Sequence, residues 1–369
     1  MTDRSLSAIV LAAGAGTRMK SARPKPLHML AGRSMLHYVI DSLADCAVGR
    51  IVVVVGHGAE RVTKKFQSQD LDTHLTFVEQ VTQDGTGDAT SVGLTGLPDD
   101  DGPDADDHDV LVLAGDMPLL RSSTIAALVE SHRANDAACT VLTAVLDDAG
   151  SYGRIVRGKD GNVVKIVEAV DATPEEREIT EINTSVFCFR RSVLAPALRR
   201  LTPQNAQGEY YLTDVVAVLR DAGYRVSAVT VDDPAEAEGI NDRLQLAAAE
   251  AELRRRTNEK WMRAGVSLVD PSNTYLDSTV RLGADVTIFP GTILQGDTVV
   301  GAGAEIGPQT RLVDCVVGDG ARVEQSNGRE AEIGAGAVVG PFAVLSPGAS
   351  VPEGVVTGPF YAGSVPVED

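Results

Sequence analysis

The 369-residue chain sets 33 Lys and Arg against 52 Asp and Glu, a formal net charge of -19 at pH 7, with 43% apolar and 23% charged residues. That length exceeds what one hydrophobic core organises and predicts two domains. No apolar run approaches the roughly 18 residues that cross a bilayer, and so acidic a chain repels phosphate backbones, so integral membrane proteins and general nucleic-acid binders are excluded.

Residues 1–230 alternate short β-branched runs with longer amphipathic stretches, the pattern of parallel strands joined by helices. Residues 7–11, 51–55 and 110–113 are predicted as buried strands, and 35–44 and 122–132 as helices covering an open α/β sheet. Ligands of such sheets sit beyond the carboxyl ends of the strands, which directs attention to the loops after Leu11 and Leu113. The run 8–13 lacks the cationic leader of a secretory signal. Cys46, Cys139, Cys188 and Cys315 are spaced too widely for a C-x-x-C pair and read as reduced thiols of a cytoplasmic protein.

Residues 242–264 are rich in Ala, Leu, Glu and Arg without Pro or Gly and predict one long helix. Beyond Pro271 an apolar residue followed by Gly recurs at intervals near six, as in Leu282-Gly283, Val300-Gly301, Ile306-Gly307, Val317-Gly318, Ile333-Gly334 and Val339-Gly340. This hexapeptide period predicts a β-solenoid, the apolar residues pointing inward and the glycines helping the chain turn. Pro352, Pro359 and Pro366 are placed to blunt its last edge.

The segment LAAGAGTRMK (11–20) follows the first strand, and Arg18, Lys20, Arg23 and Lys25 reverse the sign of an acidic chain within eight positions. Met19 stands where a dinucleotide fingerprint needs a small residue, and no G-K-[ST] completes a P-loop. A glycine loop with Arg18 and Lys25 remains, suited either to charge on a phosphoryl group or to an ordinary strand-to-helix turn. Asp116, in Ala-Gly-Asp-Met-Pro after an apolar strand, can ligate Mg²⁺ or cap a helix. The polar loop 80–86 can offer amides and a hydroxyl to a ligand, or be a surface turn.

Ten motifs in order, LAAGAGTRM, PKPLHMLAGRSML, GTGDA, GDMPLL, YGRIVR, IVEAVDAT, EINTS, NAQGEYYLTDV, EGINDRLQLA and AGVSLVDP, resemble the bacterial N-acetylglucosamine-1-phosphate uridylyltransferases of the GlmU family nearly end to end. The resemblance implies a Rossmann-like nucleotidyltransferase domain (1–240) on an open mixed, mainly parallel sheet, a linker helix (241–265) and a short left-handed parallel β-helix (266–369). It implies Mg²⁺-dependent transfer of uridylyl from UTP to N-acetylglucosamine 1-phosphate, a step towards cell-wall precursors. Leu11, Ala12, Ala13, Gly14, Gln80, Gln83, Gly85 and Thr86 would then hold the nucleotide, Arg18 and Lys25 the triphosphate, and Asp116 and Asn241 the Mg²⁺. Gly153, Glu168, Asn183, Glu209 and Tyr211 would shape the sugar pocket, and the β-helix would make a homotrimer.

Some positions depart from the family pattern. Asp88 replaces the usual His, Val170 a common Lys, and Ser185 the Gly that follows Asn-Thr, all expected on the sugar side or in its neighbourhood. Ser346-Pro347-Gly348 stands where Arg-Pro-Gly is usual, and the coils of the acetyl site are absent from 1–369, so no acetyltransferase activity is expected. A different sugar 1-phosphate or nucleotide, or a non-catalytic hexapeptide scaffold, are the competing readings. Retention of Arg18, Lys25, Asp116 and Asn241 argues against the scaffold, which would gain nothing from such charges.

Overall fold

The structure, a computed structural model, describes residues 4–67, 74–98 and 108–363. It divides into two compact units, one of residues 1–28 with 34–245 and one of residues 29–33 with 246–369.

The first unit is built on a mixed sheet of nine strands: β1 (Ser5–Ala12), β2 (Arg50–Val55), β3 (Leu75–Glu79), β4 (His108–Ala114), β5 (Cys139–Val145), β6 (Arg154–Arg157), β7 (Val163–Val167), β8 (Glu181–Arg190) and β9 (Val226–Thr230). Their order is β9-β5-β8-β4-β1-β2-β3, with β6 pairing β8 and β7. All neighbours on the β4-β1-β2-β3 side are parallel, whereas β8 runs antiparallel to both β4 and β5. Successive residues of a strand face opposite ways. Accordingly Ala8, Val10, Ile51, Val53, Leu111 and Leu113 join one core cluster while Ile9, Val52, Val54, Val110 and Val112 join another. Burial on both faces explains why these strands read as unbroken apolar runs.

The helices are α1 (Met35–Ala44), α2 (Ala59–Gln67), α3 (Thr86–Leu94), α4 (Ser122–Ala134), α5 (Pro174–Arg177), α6 (Arg191–Leu198) and α7 (Asp214–Asp221). Leu36, Val39, Ile40 and Leu43 of α1 and Ile125, Leu128 and Val129 of α4, at helical spacing, complete the first cluster. Leu194 and Leu198 of α6 with Val215, Val216 and Leu219 of α7 complete the second.

A long helix, α8 (Arg243–Arg263), starts in the first unit and continues in the second. Residues 29–33 belong to the second unit, where Ala31 donates its amide to Glu250 Oε2 at 2.9 Å and accepts from the Ser278 amide at 2.9 Å. Three wholly parallel sheets of five, six and five strands follow, each of the first five coils contributing one short strand to each sheet. Leu282, Val300, Val317, Ile333 and Val351 pair in one column, and Ile288, Ile306, Val323 and Val339 in another. Their side chains form a single buried core, the arrangement of a parallel β-helix. The glycines after the first column serve close approach rather than turning. A Cβ on Gly318 would lie 2.5 Å from the Ala335 amide nitrogen of the next coil, and one on Gly334 2.4 Å from that of Glu353. Pro352 follows the strand Ser350–Val351 and Pro359 lies in a turn before Ala362–Gly363, while Pro366 lies outside the described residues. Among the described residues no helix is long and apolar enough to cross a membrane.

Candidate active site

At the carboxyl end of β1 the chain passes through Ala13 and Gly14 to Gly16, which has φ 62°, and into a tight turn over Thr17–Met19. The left-handed φ suits glycine, and contact requires it too, because a Cβ there would lie 2.7 Å from Lys25 Cβ. Met19, 1% exposed, anchors the turn in the interior. Arg18 is thereby exposed and Lys25 is held against the loop.

At the carboxyl end of the neighbouring β4, Gly115 donates its amide to the Leu11 carbonyl at 2.8 Å, which brings Asp116 beside the glycine loop. The Lys25 ammonium forms an ion pair with Asp116 Oδ2 and donates to Asn241 Oδ1 at 2.9 Å. Arg18 Nη2 donates to the same Asn241 oxygen at 3.0 Å. Asn241 is brought there by its own segment, since Ile240 donates to the Asp116 carbonyl at 2.9 Å and Gln245 Oε1 accepts the Asn241 amide at 2.7 Å. Four residues from three distant parts of the chain thus form one network of two cations, a carboxylate and an amide oxygen.

A cavity of ≈ 410 Å³ opens beside this network and is lined by Leu11, Ala12, Ala13, Gly14, Gln80, Gln83, Gly85, Thr86, Lys25 and Asp116. That volume lies in the range of small-ligand sites. A Cβ on Gly14 would meet nothing, so the backbone there faces open space. Gln83 Nε2 donates to the Ala13 carbonyl at 3.2 Å, tying the polar loop to the glycine loop. The loop is held from the other side by a strand-like exchange: Gly87 donates to the Tyr210 carbonyl at 2.7 Å, Tyr210 to the Asp84 carbonyl at 2.8 Å, and Leu212 to Thr86 Oγ1 at 3.0 Å.

Of the residues assigned to a sugar pocket, Glu209 lines this cavity and the other four lie outside its lining. Gly153 accepts from the Asn183 amide at 2.8 Å, and Glu168 Oε2 lies 3.5 Å from where a Gly153 Cβ would stand, so these three cluster. Burial pushes the Glu168 carboxyl up, against the lowering effect of the Thr213 hydroxyl, which donates to Glu168 Oε1 at 3.0 Å. Tyr211 is buried and donates its hydroxyl to Gln207 Oε1 at 2.8 Å. Burial, then Asp171 and Glu168, pushes its phenol up to about 12.

Hard oxygen donors suit a divalent cation such as Mg²⁺. The Asp116 carboxylate and the Asn241 amide oxygen already share one cationic partner, the Lys25 ammonium, so the donor set fits a positive ion. Among the described residues no three His, Cys, Asp or Glu side chains gather as a metal site. A divalent ion here would therefore rest on these two residues and on ligand phosphates.

Three further residues belong to the site. Ser185 lines the cavity with φ 61°, at the register shift where β8 leaves β5 between Asn183 and Phe187. Its place after Asn-Thr, where the resembling family has Gly, was the signal for it. Asp88 lies against Gln80 of the polar loop, 2.7 Å from Gln80 Nε2, and Val170 is exposed. The departure at 88 thus bears on the polar loop rather than on the sugar cluster. Tyr152 carried no signal beyond its motif. Burial raises its phenol, the Gly239 amide opposes this, and Glu238 and Asp116 add to it; Gly239 itself lies against Asp116, whose Oδ1 is 3.4 Å from where a Cβ would stand.

The chain is similar to known proteins. The profile described as "MobA-like NTP transferase domain" matches residues 8–222. A protein of Heliobacterium modesticaldum named "Bifunctional protein GlmU" is 45% identical over 354 residues, covering 96% of this chain and 75% of the relative. Proteins of the same name from Rhodococcus opacus and Mycobacterium tuberculosis are 49% and 47% identical, over 92% and 93% of this chain and 68% and 69% of theirs.

Proposed function

Because the chain belongs to the GlmU family, and so is a sugar-1-phosphate nucleotidyltransferase, we propose that it couples UTP to N-acetylglucosamine 1-phosphate with Mg²⁺ bound, giving UDP-N-acetylglucosamine and pyrophosphate. The observation that carries this reading is the joint hold of Asp116 and Asn241 on Lys25, with Arg18 on the same amide oxygen, beside the glycine-loop cavity.

The attacking group is a phosphate oxygen of the sugar 1-phosphate, already ionised at neutral pH. It forms a bond to the α-phosphorus as the bond from that phosphorus to the pyrophosphate oxygen breaks, so no side chain has to take a proton. Positioning and charge compensation then carry the catalysis. The backbone at Ala13 and Gly14 and the loop bearing Gln80, Gln83, Gly85 and Thr86 orient the nucleotide. Arg18 and Lys25 meet the charge that grows on the departing pyrophosphate. Held by Asp116, Asn241 and substrate phosphates, Mg²⁺ would supply further neutralisation of the triphosphate. Gly153, Glu168, Asn183, Glu209 and Tyr211 are proposed to contact the sugar. An acidic chain opposes two polyanionic substrates, so this local cationic cluster offsets repulsion as well as assisting chemistry.

The test is pyrophosphate release from UTP, Mg²⁺ and a panel of sugar 1-phosphates. Arg18→Ala is expected to lower kcat by about 10²- to 10³-fold, as loss of one preorganised transition-state donor does. A variant as active as the parent rejects the assignment. A sugar other than N-acetylglucosamine reacting fastest would leave the chemistry and move the substrate. Ser346 in place of the usual Arg supports a reading without acetyl transfer, and an arm with acetyl-CoA and glucosamine 1-phosphate should release no CoA. Four free cysteines suit a reducing compartment, the proposed cytoplasm.

A further inference from the structure

Gln80 follows β3 and is only 4% exposed, its backbone amide donating to the Val55 carbonyl at 2.8 Å. Its side-chain Nε2 donates to Asp88 Oδ2 at 2.7 Å and to the Gly85 carbonyl at 3.2 Å. A carboxylate and a peptide carbonyl are acceptors only. The reversed amide would set Oε1 against two oxygens, so the pair of acceptors fixes which end of the amide points where. Both N–H groups are consumed within the protein. Oε1 has no hydrogen bond to a described residue, and Gln80 lines the cavity. What this buried side chain offers a ligand is therefore an acceptor.

We propose that Asp88 is a positioning residue that locks the Gln80 amide with its oxygen toward the cavity, so that the site selects a pyrimidine carrying a ring N–H over one whose ring nitrogen is an acceptor. Uracil and thymine present such an N–H between two carbonyls, whereas cytosine presents a lone pair in its place. The inference rests on the nucleotidyl-transfer reading for its substrate and adds to it the residue that sets the base preference. Without the Asp88 acceptor the amide turns, its nitrogen can face the cavity, and the preference relaxes. The Gly85 carbonyl alone, at the longer distance, holds one hydrogen and leaves the other free.

The experiment compares UTP with CTP, by kcat/KM for pyrophosphate release and by calorimetric binding, in the parent, Asp88→Ala and Asp88→Asn. In the parent, UTP is preferred. Asp88→Ala is expected to reduce the UTP-to-CTP ratio by about tenfold or more, through a raised KM for UTP with kcat changed far less. Asp88→Asn, whose side-chain oxygen can still accept, should restore most of the ratio. In a Gln80→Met background Asp88→Ala should change the ratio no further, as an effect routed through the amide requires. Asp88→Val also lacks the acceptor and gives the same comparison should Asp88→Ala fail to fold. A parental ratio in the folded acceptor-free variant overturns the proposal. If the parent turns over neither nucleotide, the reading of the reaction fails, and the calorimetric ratio still decides the role of Asp88.

Discussion

Ser185 is a serine in a left-handed conformation, φ 61°, on the wall of the cavity. The side chain costs energy there that glycine does not, while glycine loosens the unfolded chain. Ser185→Gly is therefore expected to stabilise the fold by a net ~0.5–1 kcal/mol in urea unfolding. Glu168 stores energy of another kind. Burial raises its carboxyl above the usual 4.5, so the folded chain holds this proton more tightly than the unfolded chain. The associated stability is complete below the unfolded value and is lost as pH rises through the folded one. Glu168→Gln, which cannot ionise, is expected to be more stable than the parent at about pH 8 and to lose that advantage near about pH 4, as unfolding curves at the two pH values would show. A proposed sugar-binding residue that destabilises its own fold is the usual trade between activity and stability. At this scale the sequence was legible where charge was unusual: Arg18 and Lys25 stood out in an acidic chain. Asn241 did not, because its partners lie 223 and 216 positions away and only a resemblance could bring it forward.

Among the elements, strands buried on both faces announced themselves. Residues 7–11, 51–55 and 110–113 lie within the observed Ser5–Ala12, Arg50–Val55 and His108–Ala114. Helix Thr86–Leu94 gave no such signal, since its two glycines and its Thr and Ser residues carry weak propensity and it forms by packing on the sheet. The antiparallel insertion of Glu181–Arg190 was equally hidden, because an apolar run does not state the direction of its partners. The hexapeptide glycines were legible as a period but only partly in their cause. Gly283, Gly301, Gly318 and Gly334 stand where the next coil passes too close for a Cβ, whereas Gly307 and Gly340, at φ 104° and 107°, turn the chain as the period predicts. Gly318→Ala, with its Cβ 2.5 Å from a backbone nitrogen, is expected to destabilise the β-helix by about 1–3 kcal/mol, measured by denaturant unfolding.

For the molecule as a whole, the second unit leaves apolar surface uncovered. Phe342 and Phe360 stack at 5.3 Å between ring centroids while 50% and 75% exposed, with Val344 and Val356 also exposed. Exposed aromatic pairs of this kind are characteristic of association surfaces, which is compatible with the homotrimer that the family resemblance implies. Light scattering is expected to give a trimer for the parent and a smaller species for Phe342→Ser with Phe360→Ser. A monodisperse parental monomer would reject it. The β-helix itself has a consequence for how damage spreads. Each strand of the β-helix pairs with strands of the coil before and the coil after, so a lesion in one rung is felt mainly by two neighbours and dies away along the stack. The first unit is wired differently: Lys25, Asp116 and Asn241, remote in sequence, must arrive together. The second unit can erode gradually, rung by rung, whereas the unit proposed to do the chemistry holds or fails at once.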